Sequence, residues 1–229
     1  MLFEGETKNL ILNLIAILAI RSPEMREHWR KFQAQIADQI MSLSLATKER
    51  WESQLRQMKE SGRNVNENVT YEDMKKFHTS KEYTIEVAKE HHIRMEFVGI
   101  DAILPYLANR SWLLVKSTDE SGPFVTTDNP VNLTWNEPEK IPPFYRNSPG
   151  YGMKDTQVYF PVSKKLALVG EFDGPSGVID ATRELVAMLN TKMLRFARKQ
   201  LYTPKIGFYF LGKSGELLEG THILHHIHA

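Results

Sequence analysis

The chain contains no cysteine. Disulfides, thiolate metal ligands and cysteine nucleophiles are excluded together. A reducing compartment fits, and a cytoplasmic location is the expectation. No hydrophobic run is long either. The most apolar stretch, Leu10 to Ile20, is interrupted by Asn13 and reaches about half of the roughly 20 residues a membrane-spanning helix needs. Glu4 and Glu6 precede it, where a secretory leader would carry bases. The stretch therefore reads as a buried helix, with no membrane span, and its near-continuous apolarity predicts partners on several sides. Charge of one sign is lacking as well: 29 basic and 28 acidic side chains leave a net +1, so no overall field steers the protein to nucleic acid or an anionic surface. GxGxxG, GxSxG and HExxH are all missing, which removes the main support for dinucleotide-fold, serine-hydrolase and zincin readings.

What is present is ample for a core. The 229 residues are 41% hydrophobic, enough to fold without staples. The first half reads as helical. A first helix is expected over about 7–20. Ser22-Pro23-Glu24 is a helix start, with Ser at N-cap and Pro at N1. Met25, Trp29, Phe32, Ile36, Ile40 and Leu43 then recur at helical spacing. A third helix is expected over 48–60, and Thr70 with Asp73 suggests a capped short one. Ser80 is read as opening a long helix with Thr84, Ala88, His91, Met95, Val98 and Ala102 on one face, and Pro105 as ending or kinking it.

The second half reads as strands: 111–117, 124–127, 131–135, a hairpin of 157–162 with 166–171, and 206–211. One long helix is expected over 178–201. The proline- and aromatic-rich loop 136–152 is long enough to suggest a lid or partner-binding segment.

The sharpest motif is Thr126-Thr127-Asp128-Asn129-Pro130. Pro130 holds Asn129 out of the α region, and Asp128 is a residue type whose side chain closes turns, as in an Asx-turn. That alone explains a strand-ending turn. In the functional reading Thr127, Asp128 and Asn129 face a cleft, with Asp128 as general base or as ligand of a divalent metal. His91 and His92 are more simply core or boundary histidines. The tail THILHHIHA could bind a transition metal. Lys192, Arg195 and Lys199 share a helix face, with Arg198 and Lys205 close by. They suit a helix C-terminus, and also phosphate or RNA binding interleaved with Tyr202, Phe208 and Tyr209.

Trp112-Leu113-Leu114, FVTTDNPV over 124–131, Tyr159-Phe160-Pro161-Val162-Ser163 with Leu166-Ala167-Leu168, Asn190 followed by Ala197 and Tyr202, and Arg21-Ser22-Pro23 together resemble the mostly bacterial domain of unknown function 4238 family. Members of that family typically open with a His-Tyr-Val/Ile-Pro element that this chain lacks, as in the later portion of a longer member or a naturally short one. The resemblance implies an organisation and no established activity.

The expected fold class is α+β: a helical N-terminal half packed on a small, mainly antiparallel sheet with one long bracing helix. Residues 1–110 form the helical subdomain and 111–229 the sheet-plus-helix subdomain of one compact unit. The expected function is hydrolysis of a phosphate-containing or nucleic-acid substrate at Asp128, with Thr127 and Asn129 beside it and Arg21 and Lys164 as anion contacts. The alternative is a non-catalytic module for a protein or RNA partner.

Overall fold

The computed structural model describes residues 3–66, 68–86, 88–147 and 149–223. Six helices and nine strands are found among them. The helices are α1 (Gly5–Ile20), α2 (Pro23–Ser44), α3 (Lys48–Glu60), α4 (Tyr71–Ser80), α5 (Lys89–Ala108) and α6 (Arg183–Arg195). The strands are β1 (Ser111–Lys116), β2 (Thr126–Thr127), β3 (Asn132–Trp135), β4 (Thr156–Ser163), β5 (Leu166–Glu171), β6 (Gly177–Asp180), β7 (Leu201–Tyr202), β8 (Tyr209–Leu211) and β9 (Leu217–Glu219). The fold is α+β. The chain divides into two compact units, residues 1–26 with 94–229, and residues 27–93. This division differs from a split at 110, because α1 and most of α5 supply core to the sheet.

In the first unit the main sheet has the order β3-β4-β5-β1-β6. All its pairings are antiparallel except β1 with β6. The run Val158-Tyr159-Phe160 explains the layering. Successive strand side chains point to opposite faces. Val158 and Phe160 enter a core with Ile15 and Ile20 of α1, Ile103 and Leu107 of α5, and Trp112. Tyr159 enters a second core with Val125 and with Val186, Leu189 and Met193 of α6. A strand covered on both faces loses the alternation that marks a half-exposed one. Trp112 lies across Gly170, its register partner, where a Cβ would meet the indole at 2.8 Å; this pairing needs glycine.

Several expectations are corrected. The expected helix over 178–201 is a parallel strand followed by a shorter helix: Val178 and Ile179 pair with Leu114 and Val115, and Thr182 caps α6 by accepting the Leu185 N–H at 3.3 Å. β-branched residues suit that strand, and the cap fixes the start of the helix. The long helix starts at Lys89 rather than Ser80, since Lys81 at φ 54 closes α4 in a left-handed conformation. Pro105 lies inside α5 without ending it. His91 is exposed. α1 buries one face, with Leu10 and Leu14 left exposed, because it is an outer layer on the sheet. Among the described residues no helix is long and apolar enough to cross a membrane. His225, His226 and His228 of the tail lie outside the described residues.

The second unit is built from α2, α3 and α4. Thr70 and Asp73 form the expected capping box. His78 on α4 is 8% exposed and hydrogen-bonds Ser42 of α2 and Tyr83.

Candidate functional site

The TTDNP turn forms as a strand end, but by a different bond from the one expected. β2 pairs with β7, Thr126 against Tyr202 and Thr127 against Leu201. The Thr127 hydroxyl, rather than the Asp128 carboxylate, closes the turn: Oγ1 accepts the Asn129 N–H at 3.1 Å and donates to the Asn129 carbonyl at 3.1 Å. Asp128 is thereby left for a longer reach. Its Oδ1 accepts the Arg198 N–H at 3.0 Å and its Oδ2 the Lys199 N–H at 2.9 Å. Its own N–H donates to the Gln200 carbonyl at 3.2 Å. Burial works to raise the carboxyl pKa, but these main-chain donors outweigh it and hold the group below the ordinary carboxylate range.

Asn129 is buried and donates from Nδ2 to Glu24 Oε2 at 3.0 Å. The other Glu24 oxygen accepts from the Arg198 guanidinium. Ser22 caps α2 by accepting the Met25 N–H at 3.2 Å, which places Glu24 in the first turn. The Arg-Ser-Pro start of α2, the TTDNP turn and the segment after α6 are thus tied together by Glu24 and Asp128. Asn190 adds a second tie from the buried side of α6. Its Oδ1 accepts the Val125 N–H at 3.0 Å, and its Nδ2 donates to the Pro123 and Tyr209 carbonyls at 3.0 and 2.9 Å.

The segment held by Asp128 forms one wall of a hollow of about 490 Å³. Arg195, Arg198, Lys199 and Lys213 line it together with an apolar floor that includes Leu194, Leu201 and Phe210, and no acidic side chain is among the lining residues. The volume falls within the range of small-ligand sites. Asp128 does not line this hollow; it shapes the wall from behind.

The predicted anion contacts lie elsewhere. Arg21 Nε is 3.4 Å from Glu96 Oε2, and Arg26 Nε donates to the same carboxylate at 2.8 Å. Lys164 lines a separate hollow of about 180 Å³ with Lys165, Lys205 and Asp119, where Lys165 pairs with Asp119 at 3.0 Å. Thr127, Asp128 and Asn129 are therefore brought together, and Arg21 and Lys164 are not brought to the Asp128 oxygens. Among the described residues no group of three His, Asp or Glu side chains is placed to hold a metal ion.

Residues 2–205 match the family described as protein of unknown function, DUF4238. The chain belongs to the DUF4238 family. No curated protein and no solved structure matched. In this DUF4238 protein Ser22, the TTDNP turn and Asn190 all take part in the ties just described.

Sequence reasoning missed two residues of consequence. Glu24 reads as an ordinary first-turn acid, and nothing local signals its partners at Asn129 and Arg198. Arg110 is buried, with Nη1 donating to the Thr156 and Gly170 carbonyls at 2.6 and 3.1 Å and Nη2 to the Tyr151 carbonyl and Thr156 hydroxyl, both at 2.8 Å. Burial pushes its pKa down to about 10, with Tyr151 and Glu171 acting the other way. Its place just before β1 was the only available signal. Within the loop 136–152 Arg146 donates to the Ile141 and Glu139 carbonyls, and its own carbonyl accepts from Trp135 Nε1.

Proposed function

We propose that this protein binds a phosphate-bearing ligand of nucleotide size in the hollow beside α6, with Asp128 as the residue that fixes the binding wall. The observation that carries the reading is the lining of that hollow, which combines four basic side chains with an apolar floor and no acid. Arg195 and Lys199 suit phosphate oxygens, as charge-assisted donors. The apolar floor suits a base or other flat, weakly polar group. Arg198 is already engaged by Glu24 and is assigned to orientation rather than to ligand charge.

Binding has more support than hydrolysis at Asp128. A carboxylate whose two oxygens accept main-chain N–H groups and whose pKa is lowered is a weak base. The test is calorimetric titration of the full chain with adenosine monophosphate and with inorganic phosphate. Charge-assisted bonds are worth about 1.5–3 kcal/mol, so the double variant Arg195→Ala/Lys199→Ala is expected to lose at least about tenfold in affinity for the nucleotide. Wild-type protein that binds neither probe, or a double variant that binds the nucleotide as tightly as wild type, would overturn the reading.

A further inference from the structure

The second unit holds an arrangement unrelated to the hollow. Ser42 of α2 is exposed, and its hydroxyl lies 2.8 Å from His78 Nε2. On the other side of the ring, Nδ1 is 2.6 Å from the Tyr83 hydroxyl, which in turn donates to Asp38 Oδ1 at 3.3 Å. Asp38 and Ser42 are one helical turn apart on α2, so they share a face.

The surroundings select the histidine tautomer. Lys81 Nζ lies 3.5 Å from Nε2. An ammonium offers donors only, which favours the tautomer with the lone pair on Nε2. In that tautomer Nδ1 carries the proton and donates it to Tyr83, whose own proton goes to Asp38. Every hydrogen bond in the series runs from Ser42 towards Asp38. This is the polarity of a serine nucleophile, an imidazole base and an acidic orienting group, with a tyrosine inserted before the acid. Lys81, held at φ 54 and paired with Asp38, brings a positive charge beside Nε2. A non-glycine residue in that backbone region is the kind of strain that collects at functional positions.

We propose that Ser42 and His78 form an acyl-transfer site that takes small carboxylic esters. Ser42 Oγ bonds to the ester carbonyl carbon while its proton passes to His78 Nε2, and the carbonyl oxygen becomes an oxyanion beside the Lys81 ammonium. The carbon–oxygen bond to the alcohol then breaks, and the alcohol leaves with the proton from His78, giving acyl-Ser42. Water repeats the sequence, releasing the acid and restoring Ser42. Tyr83 and Asp38 are positioning residues that hold the tautomer.

The full chain is mixed with p-nitrophenyl acetate, release of p-nitrophenolate is followed, and the acetylated peptide is located by mass spectrometry. An acetyl group on Ser42 and its loss in Ser42→Ala are expected. His78→Gln is expected to slow acylation by about 10²–10⁴-fold, as loss of a general base does. Tyr83→Phe is expected to slow acylation and shift its pH midpoint while the far-ultraviolet circular dichroism stays unchanged. Absence of acetyl-Ser42, or an equal acylation rate in His78→Gln, would overturn the proposal. A histidine that only ties α4 to α2 gives that second result, together with a lowered melting temperature. Because Ser42→Ala places a strong helix former on an exposed helix position, misfolding does not confound the first arm.

Discussion

Asp128 and Lys199 stand 71 residues apart in sequence, yet the Lys199 N–H donates to Asp128 Oδ2 at 2.9 Å. Arg198 meets the second oxygen, so the carboxylate behaves as a clamp on the chain leaving α6. Asp128→Asn leaves one acceptor and sets an amide N–H₂ against a main-chain donor. Hydrogen bonds to a charged group contribute about 1.5–3 kcal/mol, and a loss of that order is expected in urea denaturation. A catalytic aspartate that carried no structural bond would leave the denaturation midpoint in place.

The same clamp fixes a pH dependence. The folded-state pKa of Asp128 lies below its ordinary value of 3.8, so the unfolded chain binds the proton first as pH falls. The contribution is fully present above the unfolded pKa and is lost as pH falls through the folded one. The stability difference between wild type and Asp128→Asn is expected to be constant near neutrality and to shrink below about pH 4, measured as denaturation midpoints across that range.

Asn190 is a fully buried polar side chain on α6 and makes three hydrogen bonds. Asn190→Ala strands the Val125 N–H and the Pro123 and Tyr209 carbonyls, which the wild-type side chain satisfies together. Unsatisfied buried groups cost about 1–3 kcal/mol each, so a loss of at least about 3 kcal/mol is expected by chemical denaturation. Asn190→Asp should be no better, since a carboxylate would face two carbonyl oxygens.

Asp128, Glu24 and Asn190 also show why the fold was more legible than the site. Helical spacing marked α2, the Thr70 box marked α4, and the runs 157–162 and 166–171 marked a hairpin, because each signal is local. Val178, Thr182, Leu185 and Leu189 happen to continue a helical spacing, whereas the bond partners that make 177–180 a strand lie on β1. The TTDNP turn was visible as a turn, but the destination of the Asp128 oxygens depends on where the chain returns after α6. Ser42 and His78 were passed over for the same reason: a triad-like series is a matter of geometry, with no fixed spacing in sequence.

Lys192 offers a test on the alkaline side. Its ammonium donates to Gln157 Oε1 at 2.6 Å, and Gln157 donates to Glu171. Burial lowers its pKa despite the attraction of Glu171, and Arg195 lowers it further. A lysine with a folded pKa below its unfolded value binds more protons when unfolded, so stability rises with pH in the window ending near the ordinary lysine value of about 10.4. Lys192→Met is expected to abolish that rise. The comparison is the difference in denaturation midpoint between the two proteins as pH increases towards that value, which cancels groups titrating alike in both.

The last test concerns two side chains opposite each other on β3 and β4. Asn132 and Tyr159 are register partners; Asn132 is 0% and Tyr159 1% exposed. Neither the Tyr159 hydroxyl nor the Asn132 amide meets a hydrogen-bond partner among the described residues. Burial raises the Tyr159 pKa well above the ordinary phenol value, so the ring stays neutral at any working pH. Removing a buried hydroxyl that makes no bond gives up no interaction and relieves its desolvation. Tyr159→Phe is therefore expected to hold or raise the melting temperature, with a change within about 1 kcal/mol, in contrast to the loss expected for Asn190→Ala in the same layer. A fall of several degrees in Tyr159→Phe would mean that the hydroxyl has a partner in solution, and the Asn132 amide opposite it would be the first place to look.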